Sequence, residues 1–585
     1  MRAHIRSRGA RSIENALAHY PAWAQEMAQR YLSKTIGHFI LHGNVRDLVP
    51  MRTGRSWTYV PLAEFLAQDV FAGRDLVLFY DRGSGVRFRT SQEQLDFRRA
   101  LAGFDARYGT SYSQRPPREP GLLLPLLEHY FRLRLGEGKR IACILDFAET
   151  LVPNTELSGH SPEERATLVL LQRWASDPLF LEADFTLVLL TENLADLARP
   201  LVRSPHHATI PIPFPDEAER LRFIRRFPRA RSLRRYARLS IEALAELTAG
   251  LRLEHIRQLL ADAIENRRPI TPETLRERKK AIIEAEAYGL LEFVETPYTL
   301  DMVAGHRAVK ELLRQAAQAL RAGRRDVLPM GYLITGPVGT GKSFLISCFA
   351  GEIGIPMVKL RNFRSQWQGV TEGNLEKILR LLEAMSPVAV LIDEADAFLG
   401  DRREEGDSGV SRRVFAMIAS FMSDTTHRGR ILWFLLTARP DLMPVDLKRQ
   451  GRAEEHLALF YPQNAEEREE LFWGLVRKTG ATFVGRIPGR LLDGSIALSG
   501  ADMEALLVRA KFLAASRGQE AIDETLLEEV MADFLSPAYP LEIELQTLVA
   551  VLECTRRSLL PEAYREADRE ALLRRVRKLK QLLGE

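Results

Sequence analysis

The octapeptide Gly336–Ser343 constrains the fold of this 585-residue chain more than any other feature. Its sequence, Gly-Pro-Val-Gly-Thr-Gly-Lys-Ser, matches the pattern G-x-x-x-x-G-K-[ST] at every fixed position. It follows a strand-like apolar stretch, Gly331–Ile334, and precedes a segment that we expect to be helical from about Lys342. In this setting the glycines let backbone N–H groups surround phosphate oxygens, and the positive end of the helix dipole adds to the attraction. We therefore predict a phosphate-binding loop that consists of Gly336, Pro337, Val338, Gly339, Thr340, Gly341, Lys342 and Ser343.

Two acidic residues complete the predicted site. Asp393 and Glu394 directly follow the apolar run Val388–Ile392, which we expect to be a buried strand beside the strand of the phosphate loop. Lys342 would contact the β and γ phosphates, while the Ser343 hydroxyl and the Asp393 carboxylate would hold Mg²⁺. Glu394 is the candidate general base that polarises an attacking water. The expected cofactors are therefore ATP and Mg²⁺.

The two halves of the chain resemble each other. In the first half the apolar run Ile141–Leu145 ends in Asp146, and a second apolar run precedes Thr191; the second half repeats this arrangement around Asp393 and before Thr437. Helix-like stretches separate the strand-like runs, which is typical of a mostly parallel sheet. We predict an α/β protein with two tandem modules of the phosphate-loop kind, each a parallel sheet core with a small helical lid.

The repeat predicts the domain boundaries. They are an N-terminal tail or helix at 1–29, a first module at 30–285 with its lid from about 216, a linker at 286–300, a second core at 301–463, its helical lid at 464–540, and C-terminal helices at 541–585.

The first module lacks the residues that the second uses for phosphate binding. At the place where a phosphate loop is expected, Tyr80–Arg87 contains no Gly-Lys pair, and Gly43 is an alternative position that equally lacks a lysine. Its acidic strand ends in Asp146-Phe147-Ala148-Glu149 rather than Asp-Glu. Asn193 is either a remnant of a sensor strand or a helix cap. We predict that this module does not hydrolyse ATP and serves as a scaffold or a partner-binding platform.

Composition excludes several classes of protein. Hydrophobic residues at 46% and charged residues at 27% are typical of an ordinary globular protein rather than a disordered or fibrous one. Three widely separated cysteines form neither a disulfide framework nor a CxxC metal pair. No apolar run is long enough for a membrane helix, so we expect a cytoplasmic protein without a membrane partner. The net charge of +5 is a weak indication of nucleic-acid binding, which we do not expect.

Two further motifs join the phosphate loop and the acidic pair. Asp446–Arg452 reads Asp-Leu-Lys-Arg-Gln-Gly-Arg, and Ser499–Asp502 reads Ser-Gly-Ala-Asp. Together with the phosphate loop these motifs resemble the AAA branch of the AAA+ ATPases, strongly from Val303 to about Leu535 and weakly in the first module. The chain is similar to poorly characterised AAA proteins of cyanobacteria and plastids, which also join a degenerate first module to an intact second.

This resemblance implies roles for residues outside the phosphate loop. It implies that Arg449 and Arg452 reach the γ phosphate bound by a neighbouring subunit, which suits a permanently charged, forked guanidinium. It also implies that Gly305, Gly500 and Ala501 border the nucleotide. Head-to-tail contacts of this kind close into a ring, so we expect a homo-oligomer, most simply a hexamer.

The same resemblance implies a client-contacting pore loop at Ser365–Gly369, with Trp367 and Gln368 at its tip. In the family an aromatic residue at this place grips an extended polypeptide. Gln368 stands where relatives carry an aliphatic residue, which weakens the grip, and ordinary packing is the alternative role for Trp367.

The sensor region departs from the family. Relatives end the sensor strand in Thr-Asn, whereas this chain has Thr437-Ala438, so the amide that helps to place the attacking water is missing. Thr437 can replace it only in part. The segment after Arg452 reads Ala453-Glu454 in place of the family's Phe-Asp. These departures imply slow hydrolysis or a different control of it.

These expectations favour Mg²⁺-dependent ATP hydrolysis by the second module in a ring, driving the remodelling or threading of a protein client. A nucleotide-gated assembly or regulatory factor is the first alternative, suggested by Ala438 and Gln368. A DNA-associated ATPase is the second alternative, suggested only by the basic isoelectric point of 9.0.

Overall fold

The computed structural model describes residues 19–32, 36–54, 56–155, 159–228, 238–361, 372–399, 410–494, 498–535 and 539–585. The chain divides into two compact units. The first unit runs to Ile283 and also includes the later helix Glu372–Met385 as far as Ala384, and the second unit contains the rest.

The first unit is built on one mostly parallel sheet. Its strands are β1 (His38–Gly43), β2 (Leu48–Thr53), β3 (Ser56–Pro61), β4 (Leu76–Asp81), β5 (Gly85–Phe88), β6 (Ile141–Leu145), β7 (Phe185–Thr191) and β8 (His207–Ile212). Six of them form a sheet in the order β5-β4-β6-β7-β1-β8, in which only β5 is antiparallel to its neighbour. β2 and β3 form a separate antiparallel hairpin.

Alternating apolar residues of these strands fill two cores, one on each face of the sheet. In β1, for example, Phe39 and Leu41 pack in one cluster and Ile40 in the other. Because both faces are covered, the strands are nearly uninterrupted runs of apolar residues. The helices of this unit are Ala22–Leu32, Leu62–Phe65 continued by Leu66–Val70, Ser91–Tyr108, Pro120–Gly136, Pro162–Ser176, Pro178–Glu182, Arg199–Val202, Glu217–Arg226, Ile241–Leu247, Leu253–Glu265, Pro272–Glu286 and Glu372–Met385.

The second unit repeats the strand order of the first. Its strands are β9 (Leu291–Phe293), β10 (Gly331–Thr335), β11 (Met357–Leu360), β12 (Val388–Ile392), β13 (Ile431–Thr437), β14 (Glu455–Ala458), β15 (Phe483–Val484) and β16 (Ile522–Asp523). The main sheet has the order β9-β11-β12-β13-β10-β14, with only β9 antiparallel, and β15 pairs with β16. β10 therefore occupies in this sheet the place that β1 occupies in the first. The predicted α/β class with two parallel-sheet modules is confirmed.

The helices of the second unit cover its sheet and build a separate lid core. They are Arg307–Arg321, Lys342–Ile353, Ala395–Leu399, Val410–Met422, Ala465–Thr479, Gly489–Leu492, Gly500–Ser516, Glu524–Asp533, Pro540–Glu553, Glu562–Arg565 and Arg569–Leu583. The lid core is a cluster of buried side chains that includes Phe472, Leu506 and Leu527. No helix among the described residues is long and apolar enough to cross a bilayer.

One local prediction was wrong. Tyr80–Arg87 does not stand where a phosphate loop would, because it forms the end of β4, a turn and the start of β5 at the edge of the first sheet. Asp81 stabilises this turn by accepting a hydrogen bond from the backbone N–H of Ser84 at 2.6 Å. A glycine-containing turn after an apolar strand is common to hairpins and phosphate loops, so sequence alone did not separate them. The alternative, Gly43, ends β1, the strand that corresponds to β10.

Candidate nucleotide-binding site

The loop between β10 and the helix Lys342–Ile353 requires its glycines. Gly336 has φ +142°, and a Cβ there would lie 2.2 Å from the Leu459 carbonyl oxygen. Gly339 has φ +79°, and its Cβ would lie 2.7 Å from the Cβ of Ser499. Gly341, at φ +83°, is the N-cap of the helix. These left-handed conformations favour glycine, and two of the three positions also leave no room for a side chain.

Lys342 is held inside this loop. Its Nζ donates hydrogen bonds to the carbonyl oxygens of Gly336 at 2.8 Å and Pro337 at 2.9 Å. Burial lowers the pKa of Lys342 to about 8, although the carboxylates of Asp393 and Asp396 favour its charged form. The ammonium group is thus positioned at the N-terminal end of a helix, where anions bind.

Ser343 and Asp393 converge beside Lys342. The Ser343 hydroxyl lies 3.0 and 3.2 Å from the two carboxylate oxygens of Asp393, which directly follows β12. Lys359 of β11 places its Nζ 3.1 Å from the same carboxylate. A hydroxyl and a carboxylate at this distance are oxygen donors of the kind that Mg²⁺ prefers, so the residues present fit that ion.

Glu394 has an uncommon backbone conformation for a residue with a side chain. Its φ is +49°, it is exposed, and its backbone N–H donates to Asp393 Oδ1 at 3.1 Å. The first unit repeats this turn: Phe147, which follows Asp146, has φ +51°. The left-handed residue after the strand acid is therefore common to both units, but only the second unit has a carboxylate there.

Thr437 ends β13 with its hydroxyl already engaged. The Thr437 Oγ1 donates to Asp396 at 2.7 Å and accepts the backbone N–H of Arg439 at 2.8 Å, and the side chain is buried. Ala438 follows without a polar side chain. In this arrangement Thr437 orders the end of the strand and the segment after it.

A cavity of about 200 Å³ adjoins the phosphate loop. The predicted nucleotide-bordering residues Gly305, Gly500 and Ala501 all line it, together with residues of the loop and of the lid. The backbone N–H of Gly500 donates to the Gly339 carbonyl at 3.2 Å, so the first turn of the lid helix lies against the loop. Ser499 caps that helix by accepting the N–H of Asp502 at 3.1 Å. A ligand held by the loop would thus be contacted by the lid as well.

The two candidate arginines differ in accessibility. The side chain of Arg449 is 61% exposed and lies 3.5 Å from Asp446 Oδ1. Arg452 is buried and donates to the Asp446 carbonyl at 2.6 Å. Burial, followed by the charge of Arg449, lowers the pKa of Arg452. Neither residue lines the cavity. Of the two, Arg449 is the one that a second molecule can reach.

Trp367 and Gln368, the predicted pore-loop residues, lie outside the described residues.

The structure also adds residues that the sequence analysis missed. Tyr461 donates its hydroxyl to the Val338 carbonyl at 2.6 Å, and Gln546 accepts the Val338 N–H at 3.0 Å. Gln546 belongs to the C-terminal helix Pro540–Glu553, and Lys359 is the partner of Asp393 described above. A lone glutamine in an amphipathic helix gives no signal in the sequence. Tyr461 has one, because Phe214-Pro215 follows the last sheet strand of the first half as Tyr461-Pro462 follows that of the second.

Three family models match the chain. Residues 11–213 match the AAA+ chaperone, N-terminal Rossmann-like domain, residues 218–288 match the AAA+ chaperone, second helical domain, and residues 332–461 match the ATPase family associated with various cellular activities (AAA). These matches agree with the two sheets and with the motif-bearing loop. Domains of the AAA type are therefore matched in both units, which confirms the resemblance found in the sequence.

The chain is also similar in sequence to several curated proteins. The chain resembles the "Uncharacterized AAA domain-containing protein ycf46" of Trieres chinensis, at 31% identity over 241 residues, or 40% of this chain and 47% of that protein. It is 26% identical over 410 residues to the cell division cycle protein 48 homolog of Archaeoglobus fulgidus, covering 63% of this chain and 54% of that protein. It is 32% identical over 247 residues to the ATP-dependent zinc metalloprotease FtsH 3 of Sphaerobacter thermophilus, covering 41% and 50%. The chain thus spans about half the length of these relatives.

Proposed function

We propose that the second unit binds ATP and hydrolyses it with the help of Mg²⁺. The observation that carries this proposal is the convergence of Lys342, Ser343 and Asp393 at the start of one helix, next to a lid-covered cavity of about 200 Å³. The AAA match over residues 332–461 supports the same assignment.

Each residue has a role that follows from its chemistry. Lys342 and the loop N–H groups bind the phosphates, and Ser343 and Asp393 hold Mg²⁺, which supplies positive charge to the phosphate oxygens. Glu394 accepts a proton from the attacking water, and Thr437 orders the strand end beside it. Gly305, Gly500 and Ala501 border the rest of the nucleotide.

We assign the completion of the site to a neighbouring copy of the chain. Arg449 carries a guanidinium group and is exposed, as a residue that stabilises phosphate in another subunit must be. Arg452 would join it only after leaving its bond to Asp446. Contacts of one face with a different face close into rings, and a hexameric ring is our proposal for the assembly.

Remodelling or threading of a protein client is the work that we assign to hydrolysis. Its support is the match to AAA+ chaperone domains and the position of Trp367 and Gln368 in the sequence. A nucleotide-gated assembly factor is the second candidate. It is favoured by one observation: the Thr437 hydroxyl is already bonded to Asp396, and Ala438 provides no amide to place the water.

Lys342→Ala tests nucleotide binding directly. We expect it to abolish binding of a fluorescent ATP analogue in the presence of Mg²⁺, whereas Lys578→Ala, at an exposed lysine of the C-terminal helix, leaves binding unchanged. Unaltered affinity of the Lys342→Ala protein would refute the proposed site. Sedimentation with and without ATP would show whether a ring forms, and Arg449→Ala should abolish ATPase activity without abolishing binding.

A further inference from the structure

The loop after β1 stands in the first sheet where the phosphate loop stands in the second. β1 lies between β7 and β8, as β10 lies between β13 and β14. Gly43, at the end of β1, has φ +101°, and a Cβ there would lie 2.6 Å from the Ile212 carbonyl oxygen at the end of β8. Gly336 approaches Leu459 beyond β14 in the same way. The backbone frame of a nucleotide site is therefore present in both units.

In the first unit this frame contains a buried carboxylate. Asp47 is only 5% exposed. Its two carboxylate oxygens accept hydrogen bonds from four donors: the backbone N–H groups of Leu253 at 3.0 Å, Glu254 at 2.9 Å and Leu48 at 2.8 Å, and the side-chain amide of Asn44 at 2.8 Å. Several N–H groups directed at one anion are what a phosphate loop offers to its ligand.

Two of these donors belong to the lid. Leu253 and Glu254 begin the helix Leu253–Glu265, whose own N-cap residue, Arg252, provides no capping side chain. The anion at this helix N-terminus therefore comes from Asp47, in the loop of the sheet domain. The helix dipole stabilises a negative charge at that place. Asp47 thus joins the sheet domain and the lid of the first unit through charge-assisted hydrogen bonds.

A second carboxylate, Glu192, follows β7 and lies among cations. It is 3.7 Å from Arg46 Nε, 3.5 Å from an Arg252 guanidinium nitrogen and 3.8 Å from Lys377 Nζ. Arg46 also pairs with Asp146 at 2.6 Å. Arg46, Arg252 and Lys377 are thus paired with carboxylates of the chain itself.

Phe147, the residue after Asp146, also supports the interpretation that this unit does not act on a nucleotide. Phe147 has the backbone conformation of Glu394, and the Arg46 guanidinium lies over its ring, 3.7 Å from the centroid. An aromatic side chain cannot activate water. The pair of Asp146 and Phe147 therefore supports packing and ion pairing rather than hydrolysis.

We propose that Asp47 and Glu192 occupy the phosphate positions of the first unit, so that its lid is locked onto its sheet without any nucleotide and the unit binds no ATP. Its conformation is then the same in every nucleotide state of the protein. The first unit is an internally liganded, permanently closed AAA module that gives the chain a fixed platform.

Nucleotide stoichiometry in the full-length chain tests this proposal. We expect one fluorescent ATP analogue per chain in the wild type and none in Lys342→Ala, in which the first unit is intact. Two nucleotides per wild-type chain, or one remaining in Lys342→Ala, would overturn the inference. Failure of the wild type to bind any nucleotide would refute the function proposed for the second unit while still supporting a closed first unit.

Hydrogen exchange tests whether Asp47 holds the lid of the first unit against its sheet. In Asp47→Asn the amide nitrogen of the new side chain faces an N–H donor, and we expect exchange at Leu253 and Glu254 to accelerate about tenfold, which is the usual effect of losing one charge-assisted hydrogen bond. Asp216→Asn is the matched control, because Asp216 caps the helix Glu217–Arg226 within the same lid. Asp216→Asn should accelerate hydrogen exchange only in the helix Glu217–Arg226. Unchanged exchange at Leu253 in Asp47→Asn, or protection of Leu253 by ATP in Lys342→Ala, would contradict the proposal. If Asp47→Asn does not fold, the stoichiometry of Lys342→Ala still decides.

Discussion

Two glycines of the phosphate loop offer a controlled test of how the lid depends on the loop. Gly339 and Gly341 have nearly the same backbone conformation, with φ +79° and +83°. A Cβ on Gly339 would lie 2.7 Å from the Cβ and 2.9 Å from the Oγ of Ser499, whereas a Cβ on Gly341 would have no neighbour within 4 Å. Alanine at either position therefore incurs the same backbone strain, and only alanine at Gly339 pushes on the lid.

The contacts of Gly339 determine how much more Gly339→Ala should destabilise the closed lid than Gly341→Ala does. A left-handed alanine costs about 1 to 2 kcal/mol in either variant. Overpacking against Ser499 adds about 1 to 3 kcal/mol to Gly339→Ala alone. Because Ser499 caps the lid helix, moving it also weakens the cap, which is worth about 1 kcal/mol. The excess of roughly 2 to 4 kcal/mol corresponds to a loss of about 30-fold to 1000-fold in any equilibrium that requires the closed lid.

Hydrogen exchange over the lid helix Gly500–Ser516 in the nucleotide-free protein measures this difference. Both glycines belong to the phosphate-binding loop, so the two variants are compared without nucleotide. We expect exchange in the first turn of the lid helix to be at least about 30-fold faster in Gly339→Ala than in Gly341→Ala. Equal exchange in the two variants would show that the lid does not close on the loop through Ser499, and would refute the reasoning.

Three further predictions follow from the second unit. Glu394→Gln should retain ATP binding but lose at least about 100-fold in turnover as measured by phosphate release, with Glu528→Gln on the lid surface as the neutral control; parental turnover would contradict the role of Glu394 as base. Trp367→Ala should abolish processing of an unfolded protein while leaving ATPase activity intact, and retained processing would argue for the nucleotide-gated factor. Burial opposes the charge of His456, but its contact with Glu553 at 3.2 Å outweighs burial and raises its pKa. The stabilisation that protonated His456 gains from Glu553 is therefore complete below the unfolded pKa of histidine, about 6.5, and is lost as the pH rises through the pKa of His456 in the folded protein. The melting temperature of the second unit should fall between pH 6 and 8 in the wild type by more than in Glu553→Gln, and equal slopes would exclude this contact as the cause.

The fold class was predictable because buried parallel strands leave a strong signal. Val388–Ile392 and Ile141–Leu145 are uninterrupted apolar runs with a charged residue at the end, and both are strands with the predicted bounds. The turn between β4 and β5 was not predictable in the same way, since a hairpin and a phosphate loop share their local residue types. What separates them is the pairing of β5 with β4, which only the tertiary structure shows.

The residues of the candidate site were likewise predictable only in part. A contiguous motif located Lys342 and Ser343, because phosphate binding depends on consecutive backbone N–H groups. Contacts between segments distant in sequence were not visible: Gln546 is more than two hundred positions from its partner Val338, and nothing in its own helix marks it. The same is true of Asp47, whose partners Leu253 and Glu254 are equally remote.

Comparison of the two units also separates what belongs to the fold from what belongs to the chemistry. Gly43 and Gly336 both have positive φ and both approach the end of the neighbouring parallel strand. Phe147 and Glu394 share a left-handed conformation after the acid of the adjacent strand. Since Phe147 cannot act on water, this backbone conformation is not itself a signature of catalysis, and it persists because the strand has to turn there. The chemistry lies instead in the charge pattern. The second unit presents the cation Lys342, whose Nζ is hydrogen-bonded to two neutral carbonyl oxygens, at the place where the first unit has cations paired with its own carboxylates. A phosphate can therefore gain a charged partner in the second unit, whereas in the first it would have to displace one.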